Sequence, residues 1–240
     1  MSSNKTVSVG SLSQRDTITG MVIIAFMFFM FGFTSWINAI LIPYFKISFE
    51  LSHVQSYLVT FAFYISYLLF SVPASYLLKR VGFKKGMMIG FWIMSTGAFL
   101  FVPAAITMTY ELFLLGLFSI GAGLALLQSA ANPYITILGP TERAAQRFSI
   151  MGICNKGAGI LAPLLFAAVI FKATDSAMLD NISSMSQAEK DAVFHELIQR
   201  VIVPYACVGA FLFLIGLFIR YSPLPEIDTE HESEELAQAN

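Results

Sequence analysis

The run Met21–Phe33, MVIIAFMFFMFGF, contains no charged group and no side-chain hydrogen-bonding group at all. It opens the first of six apolar segments, at roughly 18–45, 53–78, 84–104, 108–138, 145–171 and 199–221. In lipid every backbone N–H and C=O must find its partner within the protein, and an apolar run of this length does so as a helix. At about 1.5 Å per residue each segment can cross a hydrocarbon core about 30 Å thick. Composition agrees: 57% of residues are hydrophobic and 12% charged, about half the charge of a soluble domain. The expected fold class is an all-α membrane protein with six transmembrane helices.

Basic residues predict the orientation. Lys5, Arg15, Lys79, Arg80, Lys84, Lys85, Arg143, Arg147 and Arg220 fall on one side, and Lys46, Lys172, Lys190 and Arg200 on the other. Positive-inside counting places both termini in the cytoplasm. Residues 1–17 read as a disordered cytoplasmic tail, because they are polar and lack the apolar core of a signal peptide. The outer loop, about 173–198, holds SMSQAEKDAVFHELIQR, in which Ser186 and Glu189 form a capping box ahead of a short amphipathic helix. SHVQ at 52–55 is a similar start for the second span. Residues 222–240 carry six acidic and no basic side chains and read as an acidic cytoplasmic tail or a linker.

Function has to come from the polar groups at hydrocarbon depth. The first span carries Thr34, Ser35 and Asn38, and the second Tyr64, Ser66 and Tyr67. The fourth carries Gln128, Ser129 and Asn132, and the fifth Asn155 and Lys156. Hydroxyls can serve as glue between helices. Amides are harder to place in lipid, since each brings donors and acceptors. Three Asn and a Gln on three spans point to a lined cavity. Lys156 lies about eleven residues into its span, where a lysine costs about 2.5–3.5 kcal/mol. No Asp or Glu lies deep in any span. Lys156 must therefore face water, shed its proton, or pair with groups outside this chain. Pro43, Pro133 and Pro163 suggest local breaks beside such a cavity. Cys154 and Cys207 read as small packing residues. Polar cargo on spans one and four, with bare spans three and six, fits a three-plus-three inverted repeat.

The stretches SAANPYITILGPTERAAQRFSIMGICNKGAG, INAILIPYF, AFYISYLL and LLKRVGFKKG resemble the sugar permeases of the major facilitator superfamily, most closely the fucose/galactose/glucose symporter family. The resemblance covers about residues 20–221. It implies one six-helix half of a transporter that carries a hexose, such as glucose, galactose or fucose, by alternating access across the bacterial inner membrane. Asn38, Gln128, Asn132 and Asn155 fall where the family lines its sugar site. Lys156, Trp36, Tyr64 and Tyr67 are added as wall and stacking candidates, with Trp36 equally able to be core. The implied partners are a sugar, the bilayer and a missing C-terminal six-helix half (a separate chain, a truncated remainder or a homodimer mate), with Na⁺ coupling, H⁺ coupling and transport without an ion all left open. No cofactor, metal or nucleic acid is implied.

Three departures stand out. The proton-coupled fucose symporters have an aspartate after the first-span Asn, where this chain has Ala39. They have a glutamate where this chain has Gln128. The acidic residue usual in the 2–3 loop is replaced near Lys79 and Arg80. With those carboxylates gone, Lys156 becomes the coupling candidate. The alternative reading is a channel or a non-transporting multi-pass membrane assembly protein. An enzyme is disfavoured, since His53, His195 and His231 lie outside the spans and no membrane Asp exists.

Overall fold

The computed structural model describes residues 14–170, 172, 175, 181 and 184–224, with all side chains among them except those of 39–44, 47, 48, 137 and 141. Residues 1–13, most of the outer loop up to 183 and the acidic tail from 225 lie outside the described residues. The elements are α1 (Gln14–Ser48), α2 (His53–Val81), α3 (Phe83–Thr107), α4 (Tyr110–Ile137), a 3₁₀ turn (Thr141–Arg143), α5 (Ala144–Ile170), α6 (Gln187–Gln199) and α7 (Ile202–Tyr221). Among the described residues six helices are long and apolar enough to cross a membrane, the last being α6 leading into α7.

The boundaries follow local chemistry. Ser52 caps α2: its hydroxyl accepts from the Gln55 N–H at 3.3 Å, and the Gln55 side chain accepts from the Ser52 N–H at 2.9 Å. At α6 the Glu189 carboxylate accepts from both the N–H and the hydroxyl of Ser186, at 2.8 and 2.7 Å. Two expectations change. Helix α1 begins at Gln14, so residues 14–17 are helical, and Asp16 in the first turn suits the positive end of the helix dipole. The prolines make no breaks: α1 continues through Pro43, α4 through Pro133 and α5 through Pro163. A proline removes one backbone donor and crowds one carbonyl, and packed neighbours hold such helices together in membranes.

Apolar side chains gain little from leaving lipid, so close backbone approach supplies much of the packing. Glycines make that approach possible between α3 and α4. A Cβ on Gly97 would sit 2.7 Å from the Gly116 carbonyl oxygen, and one on Gly123 would sit 2.6 Å from that of Gly90. Helix α7 closes on α3 where Gly216 meets Trp92 and where the Ser95 hydroxyl donates to the Gly209 carbonyl at 2.7 Å. Helix α1 packs mainly on α5, and α2 on α4. An inverted repeat exchanges first with fourth and second with fifth, so these two seams are each other's counterparts. The α1–α4–α3–α7 centre is filled by aromatics, with Phe45, Phe101 and Phe113 in mutual contact and Tyr205 stacked on Phe101 at 4.0 Å.

The least covered helices are α2 and α5, with 22% of each apolar window buried against 61% for α4. Cys207 is exposed on α7, so it does not pack as expected, while Cys154 is half-buried.

Candidate functional site

Helices α1 and α5 meet with no room to spare. Gly32 faces the backbone of Asn155, and the Asn155 side-chain N–H donates to the Phe28 carbonyl at 3.1 Å. One turn further along, the Trp36 indole lies on Gly159, where an added Cβ would come within 2.6 Å of the indole nitrogen. Lys156 Nζ then stands 5.4 Å from the centre of the Trp36 ring. A glycine notch thus seats an aromatic face, and the face carries the ammonium. Cation–π attraction contributes about 0.5–1 kcal/mol at an exposed site, less than lipid burial of the charge would cost. Lys156 is itself exposed, and Trp36 is 39% exposed, on the open side of α5.

The second neighbourhood is a crevice between α1, α2 and α4. Asn38 is only 6% exposed there. Its Oδ1 accepts from the Tyr205 hydroxyl at 3.1 Å, while its Nδ2 has no partner. Thr34, one turn earlier on the same face, is 3% exposed, and its hydroxyl is also unpartnered. Beside Asn38 opens a pocket of about 120 Å³ lined by Ser35, Asn38, Val59, Thr60, Phe63, Tyr64 and Leu117. Tyr64 is well exposed at this wall, and Tyr67 packs behind it on Phe63, at 5.8 Å between ring centres. Ser66 is buried and donates to the Phe63 carbonyl at 2.6 Å, where Gly121 of α4 presses on it.

The candidate residues therefore divide. Trp36, Asn155 and Lys156 come together on the α1–α5 seam, with Asn155 committed to α1 backbone. Asn38 and Tyr64 share the crevice. Gln128 is half-buried and Asn132 exposed on the α4 stripe that contains Leu117. Gln128 lies eleven residues past Leu117, about 16 Å along the helix. Gln128 is thus well removed along α4 from the crevice that holds Asn38, and Asn155 sits on the separate α1–α5 seam.

Three polar groups with structural consequences escaped the sequence reading. Tyr205 was hidden in an apolar span, although a buried tyrosine hydroxyl generally finds a partner, as this one does in Asn38. Arg147 is 7% exposed and turns onto the end of α4, donating to the carbonyls of Ile135 at 2.6 Å, Thr136 at 2.8 Å, Pro140 at 2.9 Å and Gly139 at 3.3 Å. A cation there meets the negative end of the helix dipole and the orphan carbonyls together. At the opposite end of the bundle, Asp175 binds Arg200 at 2.7 Å, Arg200 binds Glu196 at 2.9 Å, and Glu196 binds Lys172 at 3.1 Å. Burial alone would raise the Asp175 carboxyl. The Lys172 backbone N–H and the Arg200 guanidinium outweigh it and hold its pKa below the ordinary 3.8.

An all-helical bundle with six membrane-length helices among the described residues is the construction of a multi-pass membrane protein. The chain matches the Major Facilitator Superfamily over residues 24–237 and belongs to it. It is 33% identical over 220 residues to the L-fucose-proton symporter of Escherichia coli K12, covering 92% of this chain and 50% of that protein. It is 37% identical over 190 residues to the glucose/galactose transporter of Brucella abortus, covering 79% of this chain and 44% of that one. Among solved structures it superposes on the transporter FucP in the outward conformation, with a TM-score of 0.75 and 33% identity over 88% of this chain and 51% of that one. The chain thus spans about half the length of the relatives it matches.

Proposed function

We propose that this chain forms the N-terminal six-helix half of a sugar carrier that works by alternating access in the bacterial inner membrane, with both termini in the cytoplasm. Two observations support the reading: the exposed Lys156 over the Trp36 ring on the α1–α5 seam, and the separate crevice that Asn38 and Tyr64 share between α1, α2 and α4. A hexose needs groups that donate and accept side by side, and amides and hydroxyls do both. It also presents C–H faces that suit an indole.

The half-length match to the relatives supports a partner, and the uncovered faces of α2 and α5 are where it would pack. Tyr57, Phe61, Leu68 and Val72 on α2 and Ile153, Ile160 and Leu164 on α5 are exposed large apolar residues on both sides of the polar strip. A second six-helix unit would cover them and close the chamber around the sugar, whether it comes from another chain, from the rest of a longer one, or from a second copy.

Coupling is assigned to Lys156. With Ala39 and Gln128 in the first and fourth spans, Lys156 is the one charged side chain among the candidate residues. A fixed cation there can alternatively stand where a coupling cation would bind. Uptake of labelled glucose and galactose into proteoliposomes that hold the chain together with its second six-helix unit, driven by imposed Na⁺ or proton gradients, tests the reading. Saturable, stereoselective uptake is expected, and Lys156→Ala is expected to change the driving-ion dependence. Uptake that is non-saturable would overturn the carrier, and a mutant with unaltered ion dependence would remove Lys156 from coupling.

A further inference from the structure

We propose that the groove between α1 and α7 holds one acyl chain of an anionic phospholipid, whose headgroup is taken by Arg15 at the groove's mouth. The inference needs only that the chain sits in a bilayer, and it is independent of the sugar-carrier reading.

The groove exists because two helices are held apart. The exchange that relates the first span to the fourth and the third to the sixth makes the α1–α7 seam the counterpart of α3–α4. Glycines close the α3–α4 seam, Gly97 against Gly116 and Gly90 against Gly123. The α1–α7 seam has none to use. The two glycines of α7, Gly209 and Gly216, meet Phe99 and Trp92 of α3, while Gly20 and Gly32 of α1 meet Leu138 and Asn155. Large side chains stand between the two backbones, which scarcely approach each other among the described residues. The space left is a groove of about 440 Å³. Its floor is Ile23 and Ile215, both buried, and its sides are Val22, Leu214 and Phe218, all exposed. That volume takes roughly fifteen water-sized groups, about as many as the methylenes of one acyl chain.

Depth and charge name the occupant. Phe26 meets Phe211 edge to face at 6.5 Å and closes the deeper end. Arg15 lies eleven residues before Phe26, about 16 Å along α1, which is close to one leaflet's share of a hydrocarbon core about 30 Å thick. At about 100° per residue Arg15 also stands within about 20° of Val22, on the groove side of the helix. Thr17 and Gly20, which lie against Gly139 and Leu138, mark the opposite side. Arg15 is exposed and forms no ion pair or hydrogen bond among the described residues. Its neighbour Asp16 is turned about 100° further round α1. Lys84, which donates to the Ser222 carbonyl just past α7 at 2.5 Å, brings further positive charge to this end, together with Lys85 and Arg220. A neutral chain would satisfy the groove alone. An anionic lipid satisfies the groove and the guanidinium together.

The test is native mass spectrometry of the full chain mixed with phosphatidylglycerol or with phosphatidylcholine of identical acyl chains. One phosphatidylglycerol is expected to stay bound, about fivefold more tightly than phosphatidylcholine, the factor that about 1 kcal/mol for one basic residue near a membrane surface implies. In Arg15→Gln the preference is expected to fall to about twofold or less. Val22→Trp and Leu214→Trp fill the groove and are expected to lose the bound lipid, whichever headgroup it carries. Both positions are exposed, so neither tryptophan enters the core, and each variant checks the other. Equal affinity for the two lipids in the parent, or a preference unchanged in Arg15→Gln, would overturn the assignment of the headgroup to Arg15. Undiminished retention in both tryptophan variants would overturn the groove as the lipid's site.

Discussion

Replacing Gly32 by alanine probes the seam that holds Trp36, Asn155 and Lys156 in place. The new Cβ would fall on the backbone of Asn155, 2.9 Å from its carbonyl carbon and 3.0 Å from its Cα, and closer still to its carbonyl oxygen. Backbone cannot rotate away as a side-chain tip can, so α1 and α5 must separate. Overpacking of this kind costs about 1–3 kcal/mol, and rigid neighbours place it near the top of that range. Alanine returns about 1 kcal/mol through its better helix propensity. The net loss is about 2 kcal/mol, which lowers an apparent melting temperature by about 4–8 °C for a chain of this length. The control is Gly152→Ala on α5, where an added Cβ meets nothing within 4 Å, so only the propensity gain remains. Thermal unfolding in detergent, followed by thiol-reactive dye or tryptophan emission, measures both. The indole emission of Trp36 should also shift in Gly32→Ala, because Gly159 and Lys156 move away from the ring. A Gly32→Ala protein that melts with the parent, or a Gly152→Ala protein that drops as far, would refute the seam as the determinant.

Two further outcomes are expected. Arg147→Lys keeps the charge but cannot reach four carbonyls, and it should cost about 2 kcal/mol, seen as a drop of several degrees in the same melting assay. Acid should loosen the Asp175–Arg200 end of the bundle. Because the folded Asp175 pKa is depressed, its contribution is complete above the ordinary 3.8 and is lost as pH falls through the folded value. The apparent melting temperature should therefore hold from pH 7 to about 4 and fall below it, and Asp175→Asn should lower the plateau and flatten the fall.

The sequence by itself determined the solvent and the secondary structure. Six apolar runs leave helices as the one way to satisfy the backbone in lipid, so their number and approximate bounds were legible, as were the Ser52 and Ser186 caps. The depth of Lys156 and the lack of a carboxylate near it were legible too, because both are one-dimensional facts. Direction was not. Whether Asn155 lines a chamber or ties α5 to Phe28, and whether the Asn38 carbonyl oxygen is taken or free, depends on which group from another helix arrives opposite. Tyr205, 167 residues away in sequence, settles the second question. The same holds for Arg147, which counted only as a positive charge beside the membrane until the end of α4 was placed against it. Propensity and hydropathy act within a few turns of one helix, whereas the pairing of polar groups is decided by close approach between helices. That approach depends on small residues such as Gly32, Gly121 and Gly159, whose consequences exist only once two helices are in contact.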